Sequence, residues 1–468
     1  MTGTANESRH GAAGRLLVPA LMFIALVVAV VGSLGAPLIT AVAGEFEVSL
    51  AAAQWTLTAP LLVGAIATPV LGRLGAGPRR RQVILAILAV VVAGSLLTVV
   101  APSFGWLLAG RVAQGAGLGL AALMMGVARD HLPQQRAGAA IALLSVASTV
   151  GIGIGYPLAG LLTNVSGLRA AYGLGLLITA GALAAAWRAV PQPPPGRSAV
   201  VDVPGAALLG AGLIALSLAI SQTALWTEHP ALAAALPVAA AVLLAAWVRR
   251  ERRSAVPLVD FTLLRHPAVA GANVTMFLGG IGMYLLLTLV TRYVQTPASA
   301  GYGFGVDVFT AGLVLVPFSV LGFAGGKLAP RLRERLQAAT VLAAGGGAVL
   351  AALVVFALAR GQLWLAFAVM GLLGLGVGAF SAAMPAAILA ATPPEETSSA
   401  MSFNQVVRSV GFSIGSALGG LVLAAHTGTG ATFPAEAGYT TAAWAGAVAM
   451  AVTILISLVL RRAAGRTA

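Results

Sequence analysis

Apolar residues along the chain come in long unbroken runs with short polar punctuation, not in the alternating or every-fourth pattern of a half-exposed element. The first runs are Leu16–Ile39, Gln54–Leu74, Gln82–Ala101, Phe104–Ala128, Gly138–Thr163 and Leu168–Val190. Two more follow, Val203–Gln222 and Pro230–Val248, and then Val269–Val294, Val308–Leu328, Gln337–Ala359, Leu363–Ala390, Ala400–Ala425 and Tyr439–Leu460. Each is near the roughly 20 residues a helix needs to cross a bilayer, so the pattern predicts fourteen transmembrane helices. A polar tail, 1–15, precedes them, and the small residues Ser33–Ala36 give the first run a faint signal-peptide look. No mature soluble domain follows it, which favours a membrane helix. The Pro-rich stretch within 191–202 reads as a stiff linker, followed by a two-helix insertion over 203–253. The predicted organisation is a six-helix bundle over 16–190, the insertion, and a six-helix bundle with its tail over 254–468.

One glycine-rich stretch, Gly151–Gly160, is echoed by Gly411–Gly420. Gly151, Gly155 and Ala159 stand every fourth position, as do Gly411, Gly415 and Gly419. On a helix this makes a smooth face against which another backbone can lie very close. Pro157 stands four residues after Gly153, so a bend there costs less than usual. Static packing is one reading of such a face. Its recurrence in two halves points instead to the interrupted, repeated helices of a carrier. Pro133 and Pro393 share the same offset, and Gly115, Gly117 and Gly119 match Gly374, Gly376 and Gly378 with a one-residue shift. Gly72-Arg73-Leu74 with Arg79, Arg80 and Arg81 has a counterpart in Gly326-Lys327-Leu328 with Arg331, Arg333 and Arg335. The expected fold is thus an all-α membrane protein, two six-helix bundles in parallel pseudo-repeat with an inserted two-helix hairpin. Such repeats imply alternating access to a midplane site.

Composition agrees: 59% of residues are hydrophobic and 9% charged, too apolar for a soluble chain of this length. With no cysteine, disulfides, thiolate metal sites and thiol catalysis are excluded. The histidines lack metal-ligand spacing, no Gly-x-x-x-x-Gly-Lys-Ser/Thr loop occurs, and no nucleophile–base or carboxylate pair stands out. Neither an enzyme, a metal nor a cofactor is expected. The net charge of +14 is one-sided. All the Lys and Arg residues except Arg111, Arg169, Arg292, Arg360 and Arg408 fall on segments of one side. This bias puts that side and both termini in the cytoplasm. The run Arg249–Arg253 is then a topology anchor, and no nucleic-acid partner is implied.

Arg111 and Arg408 lie within spans, where an arginine costs about 2.5–3.5 kcal/mol on insertion scales and therefore faces a cavity or a partner. For Arg111 the alternatives are tuning of substrate or coupling charge and structural pairing with backbone carbonyls; for Arg408, a cavity role and snorkelling to the interface. Gln114, Asn273, Asn404 and Gln405 are polar groups on spans that suit either a cavity wall or interhelical hydrogen bonds. Asp130, at the inner end of the fourth helix, falls within reach of Arg79–Arg81 as an inner latch. None of the 13 acidic residues is expected at mid-membrane.

The chain resembles the major facilitator superfamily, and within it the fourteen-helix drug:proton antiporter branch. The resemblance rests on Gly72-x-Leu74 with Arg79-Arg80-Arg81, on Arg111-x-x-Gln114-Gly115, on the Gly-rich fifth helix with Pro157, and on Gln54-Trp55 followed by Thr58. Three departures stand out: Ala76 in place of the family's loop Asp, Tyr156 in place of the Gly before Pro157, and an apolar first helix around Val28 where many relatives carry an Asp. The resemblance implies a plasma-membrane exporter of small amphipathic compounds, coupled to protons and expected as a monomer in the lipid bilayer. Arg111 without a facing carboxylate favours a neutral or anionic amphiphile, and any titrating group must be peripheral, with Asp307 the first candidate. A non-transporting sensor or lipid-binding scaffold on the same fold is the competing reading.

Overall fold

A computed structural model describes residues 4–34, 38–48, 50–53, 55–75, 77–192, 202–221, 230–254, 257–258, 261, 266–390, 392, 397–428, 431 and 433–464. The first helices are α1 (Thr4–Ser33), the short α2 (Ile39–Glu45) and α3 (Leu50–Ala53), α4 (Trp55–Leu74), α5 (Arg80–Val99), α6 (Phe104–Gly115), α7 (Leu120–His131) and α8 (Gln134–Ala189). The pair α9 (Val203–Ser221) and α10 (Pro230–Glu251) follows. The remainder is α11 (Pro267–Gln295), α12 (Val308–Val314), α13 (Val316–Arg333), α14 (Ala338–Leu358), α15 (Leu363–Leu389), α16 (Thr397–Ala425) and α17 (Glu436–Ala464). Among the described residues, eleven helical stretches are long and apolar enough to cross a membrane. Most of the expected linker 191–202 lies outside the described residues.

Three breaks in these helices have local causes. A 3-10 turn at Ala116–Gly119 separates α6 from α7 within one apolar run, where three of six residues from Gly115 to Leu120 are glycine. Pro317, at the start of α13, cannot donate to the ladder, and the helix restarts there. Gly167 adopts φ 79°, ψ 178°, a conformation open essentially to glycine alone. Before it, Gly155 meets Ser33 of α1; after it, Gly175 lies beside Leu34 and Gly181 beside Phe23. The chain therefore reverses at Gly167, and both arms of α8 run along α1.

Lipid gives helices no hydrophobic reason to associate, so close approach of small residues and interhelical hydrogen bonds must hold them. A methyl placed on Gly374 or Gly378 of α15 would collide with the Phe318 or Gly322 carbonyl of α13. In the N-terminal set (α1 and α4–α8), one on Gly115 would lie 2.5 Å from the Pro60 carbonyl, and one on Gly110 2.6 Å from that of Gly94. The α9–α10 pair joins this body through Leu209, Leu213 and Trp247, which bury with Ala65 of α4 against Phe403 and Val410 of α16. Arg250 clasps the pair, donating from Nε and Nη2 to Asp202 at 2.8 Å, and that hydrogen bonding holds the Asp202 carboxyl below the usual carboxylate range.

Candidate functional site: a cavity between the two helix sets

The N-terminal set meets the C-terminal set (α11–α17) along α8 against α12, α13 and α15, and along α4 and α7 against α16. Between these contacts lies a narrow, largely enclosed cavity of about 10 Å3, room for little more than one water molecule. Its apolar wall is a ring of methionines, Met125 from α7, Met276 from α11, Met384 from α15 and Met401 from α16. Its polar wall carries Ser145 and Ser381 together with Asn404, Gln405 and Arg408. Met401, Asn404, Gln405 and Arg408 follow the i, i+3, i+4, i+7 spacing of one helical face, so α16 presents them together.

Arg408 stands roughly 16 Å along α16 from its start, and five residues, about 8 Å, into its apolar stretch Phe403–Leu423. Its Nε is buried without a hydrogen-bond partner, and its guanidinium lies 5.7 Å from the Phe412 ring centroid, itself stacked on Tyr284. The structure thus puts Arg408 on the cavity wall. Asn404 Nδ2 donates to Asn273 Oδ1 at 3.1 Å, while Asn273 Nδ2 donates to the Val269 carbonyl. This pair ties α16 to α11 directly behind the cavity.

Of the two readings open for Arg111, the structure shows the pairing with backbone carbonyls. Arg111 is 0% exposed and takes no part in the cavity wall. Its Nε donates to the Thr56 carbonyl at 2.8 Å, its Nη1 to the Val31 carbonyl at 2.9 Å and to Gln114 Oε1 at 2.7 Å, and its Nη2 to the Gly32 carbonyl at 3.3 Å. Each acceptor has a reason to need it. Val31 and Gly32 are among the last carbonyls of α1, which helix geometry leaves unpaired. Thr56 precedes Pro60 by four residues, so its carbonyl has no helical donor. Gln114 passes the network on, donating to Ser95 Oγ at 3.1 Å, which also accepts from Thr179. Arg111 and Gln114 therefore staple α1, α4, α5, α6 and α8 to one another.

The cavity is shut at both ends. At the arginine-rich end, Arg129 of α7 donates to Thr397 Oγ1 and to the Thr392 carbonyl across the two sets, and Arg73 Nε donates to the Pro257 carbonyl at 2.5 Å. At the opposite end, methyls on Gly160 and Gly312 would lie 3.0 Å from Phe309 Cα and 2.8 Å from Pro157 Cα. Asn164 Nδ2 also reaches Asp307 Oδ2 there, at 3.5 Å. Of the expected latch, Arg80 pairs with Asp130 and donates to the Gly75 carbonyl, Arg81 donates to the Trp187 carbonyl at 2.7 Å, Arg79 is exposed and Gly72 buried. These bonds lie within the N-terminal set; at this end Arg129 is the arginine whose bonds cross toward the C-terminal set, and Arg73 reaches the segment that leads into it.

The two glycine faces also divide. Gly151 and Gly155 rest on α1, at Ala29 and Ser33, and Gly411 and Gly415 on α11, at the Phe277 and Ile281 carbonyls. Gly419 has ordinary clearance. The every-fourth face is thus packing within each set. The face that looks across is Gly153, whose added methyl would lie 2.8 Å from the Leu315 carbonyl and against Ser319, with Ser319 Oγ donating to the Val150 carbonyl at 3.0 Å. Sequence reasoning passed over Arg129, Ser145, Ser381 and the methionine ring. The one signal available was the 401-404-405-408 spacing on α16.

The sequence matches the model of the Major Facilitator Superfamily over residues 21–416 and 304–467. It is 30% identical over 341 residues to the methylenomycin A resistance protein of Streptomyces coelicolor, covering 70% of this chain and 69% of that one. It is 26% identical over 390 residues to a multidrug resistance protein B homolog of Mycobacterium tuberculosis, covering 81% and 70%. The fold is similar to that of the human organic anion transporter MFSD10, with a TM-score of 0.64 and 14% identity over 95% of this chain and 99% of that one. With two helix sets closing on one central cavity and a family match along most of its length, this multi-pass membrane protein belongs to the Major Facilitator Superfamily.

Proposed function

We propose that the chain is an exporter of small amphipathic compounds that works by alternating access, in the manner of the resistance and multidrug proteins it is similar to. The observation that carries this is the cavity itself, walled by both helix sets and shut on either side by contacts between them. Rocking the sets about it opens one end at the expense of the other. In this reading the arginine-rich end is cytoplasmic with both termini, in the cell membrane. The chain then crosses fourteen times as a member of the fourteen-helix drug:proton branch: the reversal at Gly167 divides α8 into two crossings, and α9 and α10 add an inserted pair between two pseudo-repeated bundles. Accumulation of dyes and antibiotics by inside-out vesicles, with and without a pH gradient, tests export. A panel taken up no faster than by vesicles lacking the protein overturns it.

Proton coupling, which the family resemblance implies, needs a group that titrates. Asp307 is the N-cap of α12 and accepts from the Thr310 amide at 3.2 Å. Hydrogen bonding from Thr310 holds its carboxyl below the ordinary carboxylate range. A depressed carboxyl contributes stability above its unfolded pKa and loses it only as pH falls through the folded value, so Asp307 stays ionised across the neutral range. Asp307→Asn, itself a good N-cap, is expected to export at a near-normal rate with an unchanged response to the gradient. A lost gradient response in the same vesicles would restore Asp307 as the coupling group.

A further inference from the structure

We propose that the cavity, widened as the two helix sets rock apart, takes an amphipathic organic anion whose negative group pairs with Arg408, and that the inside-negative membrane potential drives its export without proton exchange. This rests on the exporter reading above. Arginine stays protonated under all cellular conditions, and a charge enclosed away from water is costly unless paired. Among the described residues Arg408 makes no hydrogen bond or ion pair, its Nε is buried and unpartnered, and the cavity wall holds no carboxylate. The Phe412 ring lies 5.7 Å from its charge. Arg111 does not compete, because carbonyls and Gln114 occupy its donors. Arg408 thus has an open fork suited to a carboxylate or sulfonate. Gln405, Ser145 and Ser381 stand around it for remaining oxygens, and the methionine ring offers an adaptable surface for an apolar body.

The charge also settles the driving force. With an anion bound, the cavity is neutral; empty, it carries one positive charge. Returning the empty carrier to its inward-open form moves that charge toward the negative interior, so the potential drives the return. Each full cycle carries one negative charge out. A potential of about 100 mV sustains roughly a fifty-fold concentration ratio for such an ion, equivalent to about 2.3 kcal/mol. No acidic side chain has to load or release a proton.

The test uses the full chain in nanodiscs with two fluorescent probes that differ in one group: dansylglycine, a monoanion at neutral pH, and its neutral amide, dansylglycinamide. Wild type is expected to bind the anion at least tenfold tighter than the amide. Arg408→Gln should erase that preference and Arg408→Lys should keep part of it, both eluting as monodisperse protein. In inside-out vesicles, a lumen-positive potential set with valinomycin and potassium, without a pH gradient, should speed dansylglycine uptake, and Arg408→Gln should remove the acceleration. Equal binding of the two probes by wild type, binding of neither, an unaltered preference in Arg408→Gln, or uptake that requires a pH gradient overturns the proposal. If the amide is exported by wild type and Arg408→Gln alike, the anion assignment falls while the exporter reading stands. If wild type moves neither probe nor any compound of the wider panel, both fall.

Discussion

Arg111→Ala is expected to abolish export and to reduce the recovery of folded protein at least tenfold. The substitution strands the Thr56 and Val31 carbonyls and Gln114 Oε1, all of which accept from this one side chain. A buried acceptor left unpaired costs about 1–3 kcal/mol, although hydrogen bonds between membrane helices average only about 0.6 kcal/mol, because unfolded segments also find partners. The first figure governs here, at least for Thr56. Its carbonyl is orphaned by Pro60 in the same helix, so no rearrangement of α4 alone supplies a donor. Arg111→Lys keeps the charge but not the planar fork that spans α1, α4 and Gln114, and should fall between. Thermal stability in detergent, read beside vesicle transport, checks this. Normal stability with lost transport in Arg111→Ala would make the residue a substrate contact, not a staple.

Gly153→Leu and Gly415→Leu are expected to fail differently. The added Cβ of Gly415→Leu collides with the Ile281 carbonyl inside the C-terminal set. Overpacking of that kind costs about 1–3 kcal/mol or more where backbone cannot yield, and the protein should aggregate or be degraded. Gly153 lies directly against Leu315 and Ser319 at the boundary between the two sets, where they can part. Gly153→Leu should therefore fold, elute as monodisperse protein, and export at less than a tenth of the normal rate because it cannot close that end. Gly155 is milder: its nearest obstacle is the Ser33 hydroxyl, which can rotate, with the Val30 carbonyl 3.1 Å away. Transport by Gly153→Leu at the wild-type rate would remove the crossing face from the mechanism.

The glycine face shows why local pattern stops short. Spacing of four identifies a smooth helical surface, but the same surface serves packing within a set or between sets. Gly151 and Gly155 differ from Gly153 only in which neighbour lies opposite. Arg111 is a similar case. Its cost in a membrane was legible, and so was the Pro60 that leaves Thr56 without a donor. Their meeting depends on α6 crossing α4, with the partners 55 positions apart in sequence. Asp130, at the end of α7, was expected within reach of Arg79–Arg81, and of the three arginines it is Arg80 that pairs with it.

By itself, then, the sequence determined everything that depends on the solvent. Long apolar runs must become helices in lipid, because a backbone without water has to satisfy itself within each segment. The family is legible for the same kind of reason, since motifs such as Arg111-x-x-Gln114-Gly115 are local. What only the tertiary structure decided is the division of labour between the two arginines within the helices. Both carry the same cost in the bilayer, and both sit within polar-studded helices. Arg111 landed where three orphaned carbonyls converge and its charge is absorbed into the scaffold. Arg408 landed on the seam between the helix sets, where among the described residues its Nε has no hydrogen-bond partner and the charge is left for whatever enters the cavity.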